Sequence, residues 1–143
     1  MTEPKRPEPA DRNSAVIAEF RANGGKVDHR SRDILLLHHT GARTGTKRVT
    51  PLAYLRVGDS LAVFATKAGA PVNPGWYHNL LAHPQTTVEV GTETIEVRAR
   101  VAEPAERDVI WERQIARVPH FAEYQKQAAP RRRIPVVLLE SVK

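Results

Sequence analysis

The stretch TTVEVGTETIEVRARV, residues 86–101, alternates polar and apolar residues in two arms around a Gly-Thr-Glu turn. Successive side chains of a strand point to opposite faces, so this period of two buries one face and leaves the other in water. Two such arms make an antiparallel hairpin, which needs further sheet to cover its apolar face. DILLLHH (33–39), VTPLAYLRV (49–57) and LAVFAT (61–66) read as three more strands. IPVVLLES (134–141) reads as a last one, with Pro135 at its beginning or on an edge. Helical spacing is confined to the segments between. Val16, Ile17 and Phe20 share a face behind a cap at Asn13 or Ser14, in a short helix that Gly24-Gly25 ends. GWYHNLLAH (75–83) and the segment from Pro104 to about Ala128, broken at Pro119, supply the others. The expected fold is α+β, mainly β: about six strands, mostly sequential and antiparallel, with three to four helices, as a small barrel or strongly curled sheet.

A chain of 143 residues fits one domain, expected over residues 13–143 behind a disordered lead-in at 1–12. The N-terminus, MTEPKRPEPADRN, is charged and proline-rich, without the apolar run of a signal peptide or an anchor. No apolar run reaches the roughly 20 residues that span a bilayer, so the expected compartment is the cytoplasm. With no cysteine there is no disulfide framework, thiolate nucleophile or thiolate metal site. The 22 Lys and Arg against 16 Asp and Glu give +6, which suits an anionic partner: nucleic acid, a membrane surface or an acidic small molecule.

Two segments carry chemistry beyond folding. In GARTGTKR (41–48), Arg43, Lys47 and Arg48 flank a Gly/Thr turn whose backbone N–H groups and hydroxyls suit a phosphate or a run of carboxylates. A solvated hairpin tip has the same composition, and the spacing is not that of a P-loop. In TKAGAPVNPGWYHNL (66–80), Lys67 follows a strand end and Asn73-Pro74 opens a helix bearing Trp76, Tyr77 and Asn79. A helix start beside a lysine suits an anion or a polar ring, although Trp76 and Leu80 at i and i+4 equally suit a packed face. The RRR run (131–133) is a solvated patch or an extension of the hairpin tip, and Phe121 and Tyr124 are core or the wall of a pocket.

The six histidines offer no HExxH or carboxylate-flanked pair, so no metal is expected; His38 and His39, adjacent in a strand, face opposite ways, and His78 on the short helix is the one to follow. No nucleophile elbow or acid–base pair of carboxylates is visible either. The chemistry is therefore expected to come from a bound cofactor that the protein grips and orients.

Three segments together resemble the deazaflavin (coenzyme F420)-dependent nitroreductase and F420H2-dependent quinone reductase family of actinobacteria: LLLHHTGARTGTKRVTPLAYL (35–55), FATKAGAPVNPGWYHNLLAHP (64–84) and RRIPVVLLE (132–140). The resemblance runs from about residue 15 to the end, and the middle segment is its most specific part. It implies a split β-barrel like the FMN-binding pyridoxamine oxidases, with the deazaflavin in a groove. By that resemblance Arg43, Thr44 and Arg48 lie near the phosphate and the acidic oligoglutamate tail. Val49, Pro51, Leu52 and Ala53 lie along the strand beside the cofactor, Ala65, Thr66 and Lys67 at the third strand's end, and Trp76, Tyr77, His78 and Asn79 at the helix start that closes the groove. FMN is the less suitable cofactor, because distributed cations fit a longer acidic tail.

The implied reaction moves a hydride from C5 of the reduced deazaflavin to an electron-poor small molecule: a quinone, an enone or a nitro compound. Thr66 and Tyr124 are the catalytic candidates, orienting or polarising the acceptor, and Ala53, Phe121 and Tyr124 form its pocket. Ala53 after TPL, with Val118 and Phe121 on the approach to Tyr124, makes that pocket poorer in tyrosine than the nitroreductase branch, which weighs against nitroimidazoles. The family branch slightly favours a monomer, and a lipid quinone would bring it to the membrane periphery without an anchor. A non-catalytic F420 carrier and a basic nucleic-acid or anionic-surface module are the alternatives. Aromatics at 6% and the lack of a recognition helix weigh against nucleic acid.

Overall fold

The computed structural model describes residues 9–27, 33–129 and 131–142; residues 1–8 of the expected lead-in, His29 and Pro130 lie outside them. Among the described residues the order is α1 (Pro9–Ala22), β1 (Ile34–Thr40), β2 (Lys47–Val57), β3 (Ser60–Phe64), a 3-10 turn (Lys67–Gly69), α2 (Gly75–Ala82), β4 (Gln85–Val90), β5 (Glu93–Val101), α3 (Pro104–Arg117), α4 (His120–Ala128) and β6 (Val136–Ser141). The six strands close into an antiparallel barrel in the order β1-β2-β3-β6-β5-β4. Closure leaves no apolar face in water. Leu35, Leu37, Leu61, Val63, Val88, Val97, Val137 and Leu139 fill the interior, and α2 plugs it with Trp76 and Leu80. Two further clusters cover the outside: Phe64, Trp111, Phe121 and Leu138 under α3 and α4, and Val16, Phe20 and Leu36 under α1.

Several boundaries differ from the sequence expectation for identifiable reasons. Helix α1 begins at Pro9, ahead of the expected cap at Asn13 or Ser14. Proline is favoured at a first helical position because its missing N–H would have no partner there. The Gly24-Gly25 end is as expected, with the Gly25 N–H on the Phe20 carbonyl at 2.8 Å. Strand β2 takes in Lys47 and Arg48, which pair with Thr40 and His39, so the tip of the first hairpin is residues 41–46. Strand β3 stops at Phe64, not Thr66. The Ala65 N–H still bonds the Pro135 carbonyl at 3.1 Å, but Pro135 has no N–H to return, so the ladder ends there. Lys67 therefore stands in a 3-10 turn beyond the strand.

Early termination of β3 opens the barrel on one side. β2 pairs with β3 only from Tyr54↔Val63 to Val57↔Ser60, whereas it pairs with β1 from Lys47 to Ala53. Residues 47–53 of β2 thus have a strand on one edge only. Pro51 is accommodated there because a proline needs a position where no ladder partner awaits its N–H. The other end of the barrel is tight: two-residue turns join Val57 to Ser60 and Val90 to Glu93.

Candidate functional site

The open edge of β2 faces the end of the barrel where the hairpin tip, the 65–74 loop, the start of α2 and the segment before β6 all converge. The link between tip and helix is a buried histidine. Asn79 Oδ1 accepts the Ala42 N–H at 2.9 Å. Its Nδ2 donates to His39 Nδ1 at 2.9 Å, so His39 carries its proton on Nε2 and donates that to Thr50 Oγ1 at 2.8 Å. Burial, first, and then the charges of Arg48 and His38 push the His39 pKa down to about 4, so the ring is neutral at physiological pH. Its neighbour His38 points the other way, onto Glu89 at 2.7 Å, as the alternation of a strand requires.

The 65–74 loop has a strained backbone. Lys67 (φ 44°), Ala68 (φ 52°) and Gly69 (φ 83°) are left-handed in succession. Gly69 is also required by space, since a Cβ there would lie 2.8 Å from Gln127 Cβ and 3.1 Å from the Tyr124 carbonyl. That close approach seats α4, and Tyr124 with it, on the loop. Arg132 holds the loop from beneath through the Ala65, Thr66 and Ala70 carbonyls and Asn73 Oδ1, at 2.8–2.9 Å.

The expected site residues separate into groups. Arg43, Arg48 and Lys67 are exposed around this end with no carboxylate partner among the described residues. Thr44 uses its hydroxyl within the tip, accepting the Thr46 N–H at 3.2 Å and donating to Thr46 Oγ1 at 2.9 Å. Val49, Pro51 and Ala53 alternate with Thr50 and Leu52 along the open-edged part of β2. Ala53 packs against both outer clusters, and one of these also contains Phe121 and Tyr124, so the three acceptor-pocket residues share one apolar surface. Phe121 is its buried part, edge-on to Phe64 with ring centroids 5.6 Å apart. Ala65 is buried and Thr66 half-buried at the start of the loop.

Other expected residues face elsewhere. Trp76 is buried inside the barrel, where Tyr77 and Leu52 also pack. Among the four residues expected at the groove-closing helix start, Asn79 anchors the tip, Trp76 and Tyr77 serve the core, and His78 is exposed with its ring 5.6 Å from Tyr77. The arginine run does not extend the hairpin tip: Arg132 is spent on the loop, and Arg133 pairs with Asp108 on α3. His39 and Arg132 are the structural residues that sequence patterning missed, because a histidine in a strand and an arginine in a basic triplet carry no local mark of their partners.

Two cavities, of about 670 and 600 Å3, lie at the opposite end of the barrel around Tyr54, Arg56 and Ile95 and contain none of the expected residues. Their linings hold Asp33, Asp59, Glu93 and Glu140 against Lys26 and Arg56, a balance ill-suited to a polyanion. The open end has the reverse chemistry. Unpaired cations surround an unpaired strand edge, which is the donor set that an acidic tail and a polar ring need. The residues present thus fit the anionic, ring-bearing cofactor expected from the sequence.

Comparison with known proteins agrees. The chain is 39% identical over 126 residues to the F420H2-dependent quinone reductase of Mycobacterium tuberculosis, covering 85% of each. A solved F420H2-dependent reductase is 36% identical at a TM-score of 0.67, covering 75% of this chain and 93% of that one. A solved domain-swapped dimer is 33% identical at a TM-score of 0.70, covering 93% and 100%. The fold alone extends to a Listeria innocua structure described as a pyridoxamine 5'-phosphate oxidase, 13% identical at a TM-score of 0.56. The family model for F420H2-dependent quinone reductase matches residues 13–141, so the chain belongs to the F420H2-dependent quinone reductase family.

Proposed function

We propose that this F420H2-dependent oxidoreductase reduces a quinone-class acceptor at the open end of the barrel, along the unpaired edge of β2. The observation that carries the placement is the coincidence of that edge, residues 47–53, with the exposed cations Arg43, Arg48 and Lys67. Arg43 and Arg48 would hold the phosphate and acidic tail from the tip side, and Lys67 from the loop side. Val49, Pro51 and Ala53 would lie along the ring. Bound reduced F420 supplies the hydride.

The protein's own contribution is position and dryness. The Asn79–His39–Thr50 chain fixes the tip against α2, so the two basic walls keep their separation. Ala53, Phe121 and Tyr124 offer an apolar surface for a flat conjugated acceptor, which excludes water and brings it into reach. The Thr66 and Tyr124 hydroxyls are the groups proposed to polarise the acceptor's oxygen. Because Tyr124 is the one phenol of that surface, a quinone or enone fits it better than a nitroimidazole. We propose a monomer, as the family resemblance favours; light scattering on the purified protein tests this against a dimer. Among the described residues no helix is long and apolar enough to cross a membrane; work on a lipid quinone would be peripheral.

Titration with oxidised F420 beside FMN, followed by turnover of F420H2 with menadione, tests the proposal. Saturable binding of the deazaflavin and loss of F420H2 absorbance only when menadione is present are expected. Binding without turnover would favour a carrier, and no response to the deazaflavin would overturn the cofactor placement.

A further inference from the structure

Three successive left-handed residues are unusual outside glycine, and Lys67 and Ala68 each bear the crowding of Cβ against the backbone for it. Such a backbone persists only where its surroundings over-determine it. Here, beside the close approach of α4 at Gly69, one guanidinium spans the whole turn. Arg132 Nε donates to the Ala70 carbonyl at 2.9 Å, Nη1 to the Ala65 carbonyl at 2.9 Å and to Asn73 Oδ1 at 2.8 Å, and Nη2 to the Thr66 carbonyl at 2.8 Å. These acceptors lie on both sides of the strained turn, so the loop cannot relax without breaking the fork.

Arg132 is itself held at its backbone. Gln125 Nε2 donates to the Arg132 carbonyl at 3.1 Å, and Gln125 Oε1 accepts the Ile134 N–H at 2.9 Å and Arg107 Nη2 at 2.8 Å. Arg107 also donates to the Ile134 carbonyl at 3.0 Å and stacks its guanidinium 4.6 Å from the Trp111 ring centre. The chain of contacts therefore runs from α3 through α4 to the loop. None of the four groups that Arg132 grips is a carboxylate, and burial alone lowers its pKa from the usual arginine value. Were packing the sole requirement, a neutral donor would avoid the cost of desolvating a charge.

We infer that Arg132 is a positioning residue for cofactor binding: its planar fork sets the 65–73 loop, and with it the Lys67 ammonium and the Thr66 hydroxyl, in the binding-competent arrangement. This rests on the proposal that the loop faces the cofactor. Lysine cannot replace it, because three donors on a point cannot reach four acceptors spread across a plane.

The test compares Arg132→Lys and Arg132→Gln with the wild type in the full chain. Amide hydrogen exchange at Gly69 and Ala70, whose N–H groups bond the Thr66 and Lys67 carbonyls, is expected to quicken at least about tenfold in both variants while the β1 and β6 amides stay protected. Affinity for oxidised F420, read by fluorescence, should fall about tenfold or more in both, with KM for F420H2 rising in step and kcat falling by a smaller factor, because the Thr66 hydroxyl moves with the loop. Lysine that restores full affinity would show that only charge matters and would overturn the proposal, as would unchanged loop exchange or loosening spread evenly over the barrel. If the wild type fails to bind F420, the functional proposal falls and takes the cofactor part of this one with it, whereas the exchange pattern still decides whether Arg132 sets the loop.

Discussion

At one end of the barrel two-residue turns at 58–59 and 91–92 close both hairpins, and the chain after α1 is pressed onto the second so tightly that a Cβ on Gly25 would lie 2.4 Å from Gly91 Cα. At the other end β3 stops short, β2 keeps a free edge, and the loops are held by side chains: Arg132 under residues 65–73, and Asn79 and His39 under the tip. The contrast separates two ways of satisfying a backbone. Ladder pairing consumes the backbone donors of the strands it joins; side-chain bracing fixes the same chain while leaving a strand edge and cations free. A polyanionic cofactor needs the second kind of end.

The largest expected effect tests whether α2 belongs to the barrel interior or to the groove. Trp76→Ala should cost about 3–5 kcal/mol in urea unfolding, as for other buried aromatics, while the fraction that remains folded still binds F420. A stable but non-binding variant would move Trp76 to the groove. Next comes the tight end. Gly25→Ala should lower stability by about 3 kcal/mol through its positive φ and the backbone contact with Gly91, with no change in F420 affinity per folded molecule.

At the braced end Asn79→Ala should cost about 2 kcal/mol, because it leaves the Ala42 N–H and a buried imidazole without their partner, and it should weaken F420 binding as well. The same histidine makes stability depend on pH. His39 is neutral in the fold with a pKa of about 4, whereas in the unfolded chain it titrates near the ordinary value of about 6.5. Between these values the unfolded state binds more protons, so its contribution is full above about pH 6.5 and is lost progressively down to about pH 4. Urea midpoints across that window should fall in the wild type and fall less in His39→Gln. The smallest effects belong to the exposed cations. Lys67→Ala and Arg48→Ala should each weaken F420 binding about fivefold, more at low salt, with stability within about 0.5 kcal/mol of wild type. Affinity unchanged from wild type in both variants would remove the cations from the binding site.

Strand number, antiparallel order and helix placement were legible because they rest on local periodicity: 86–101 alternates, 104–118 repeats at helical spacing, and Pro119 breaks the helix at the position found, between α3 and α4. The stop of β3 was less visible, since its cause is a proline distant in the sequence, Pro135, which faces Ala65. The candidate site was legible as motifs and as a family resemblance, which named the tip, the loop and the helix start as segments. Which way each side chain faces was not. Trp76 and Tyr77 sit in the same motif as Asn79, yet the pitch of α2 turns the first two into the barrel and leaves Asn79 to reach the tip.

The sequence by itself determined an antiparallel sheet of about six strands, a chain without cysteine or a visible nucleophile, and two chemically distinctive segments, because periodicity, composition and motif spacing are local properties; the barrel and the shared groove came from the family resemblance. Only the tertiary structure decided that the barrel opens along β2 and that Arg132 belongs to the loop instead of the basic patch. It also decided that His39 stays neutral beneath the tip. Those outcomes depend on partners 35 to 70 residues apart in the chain meeting in a low-dielectric interior, where an unpaired donor is costly enough to dictate the arrangement.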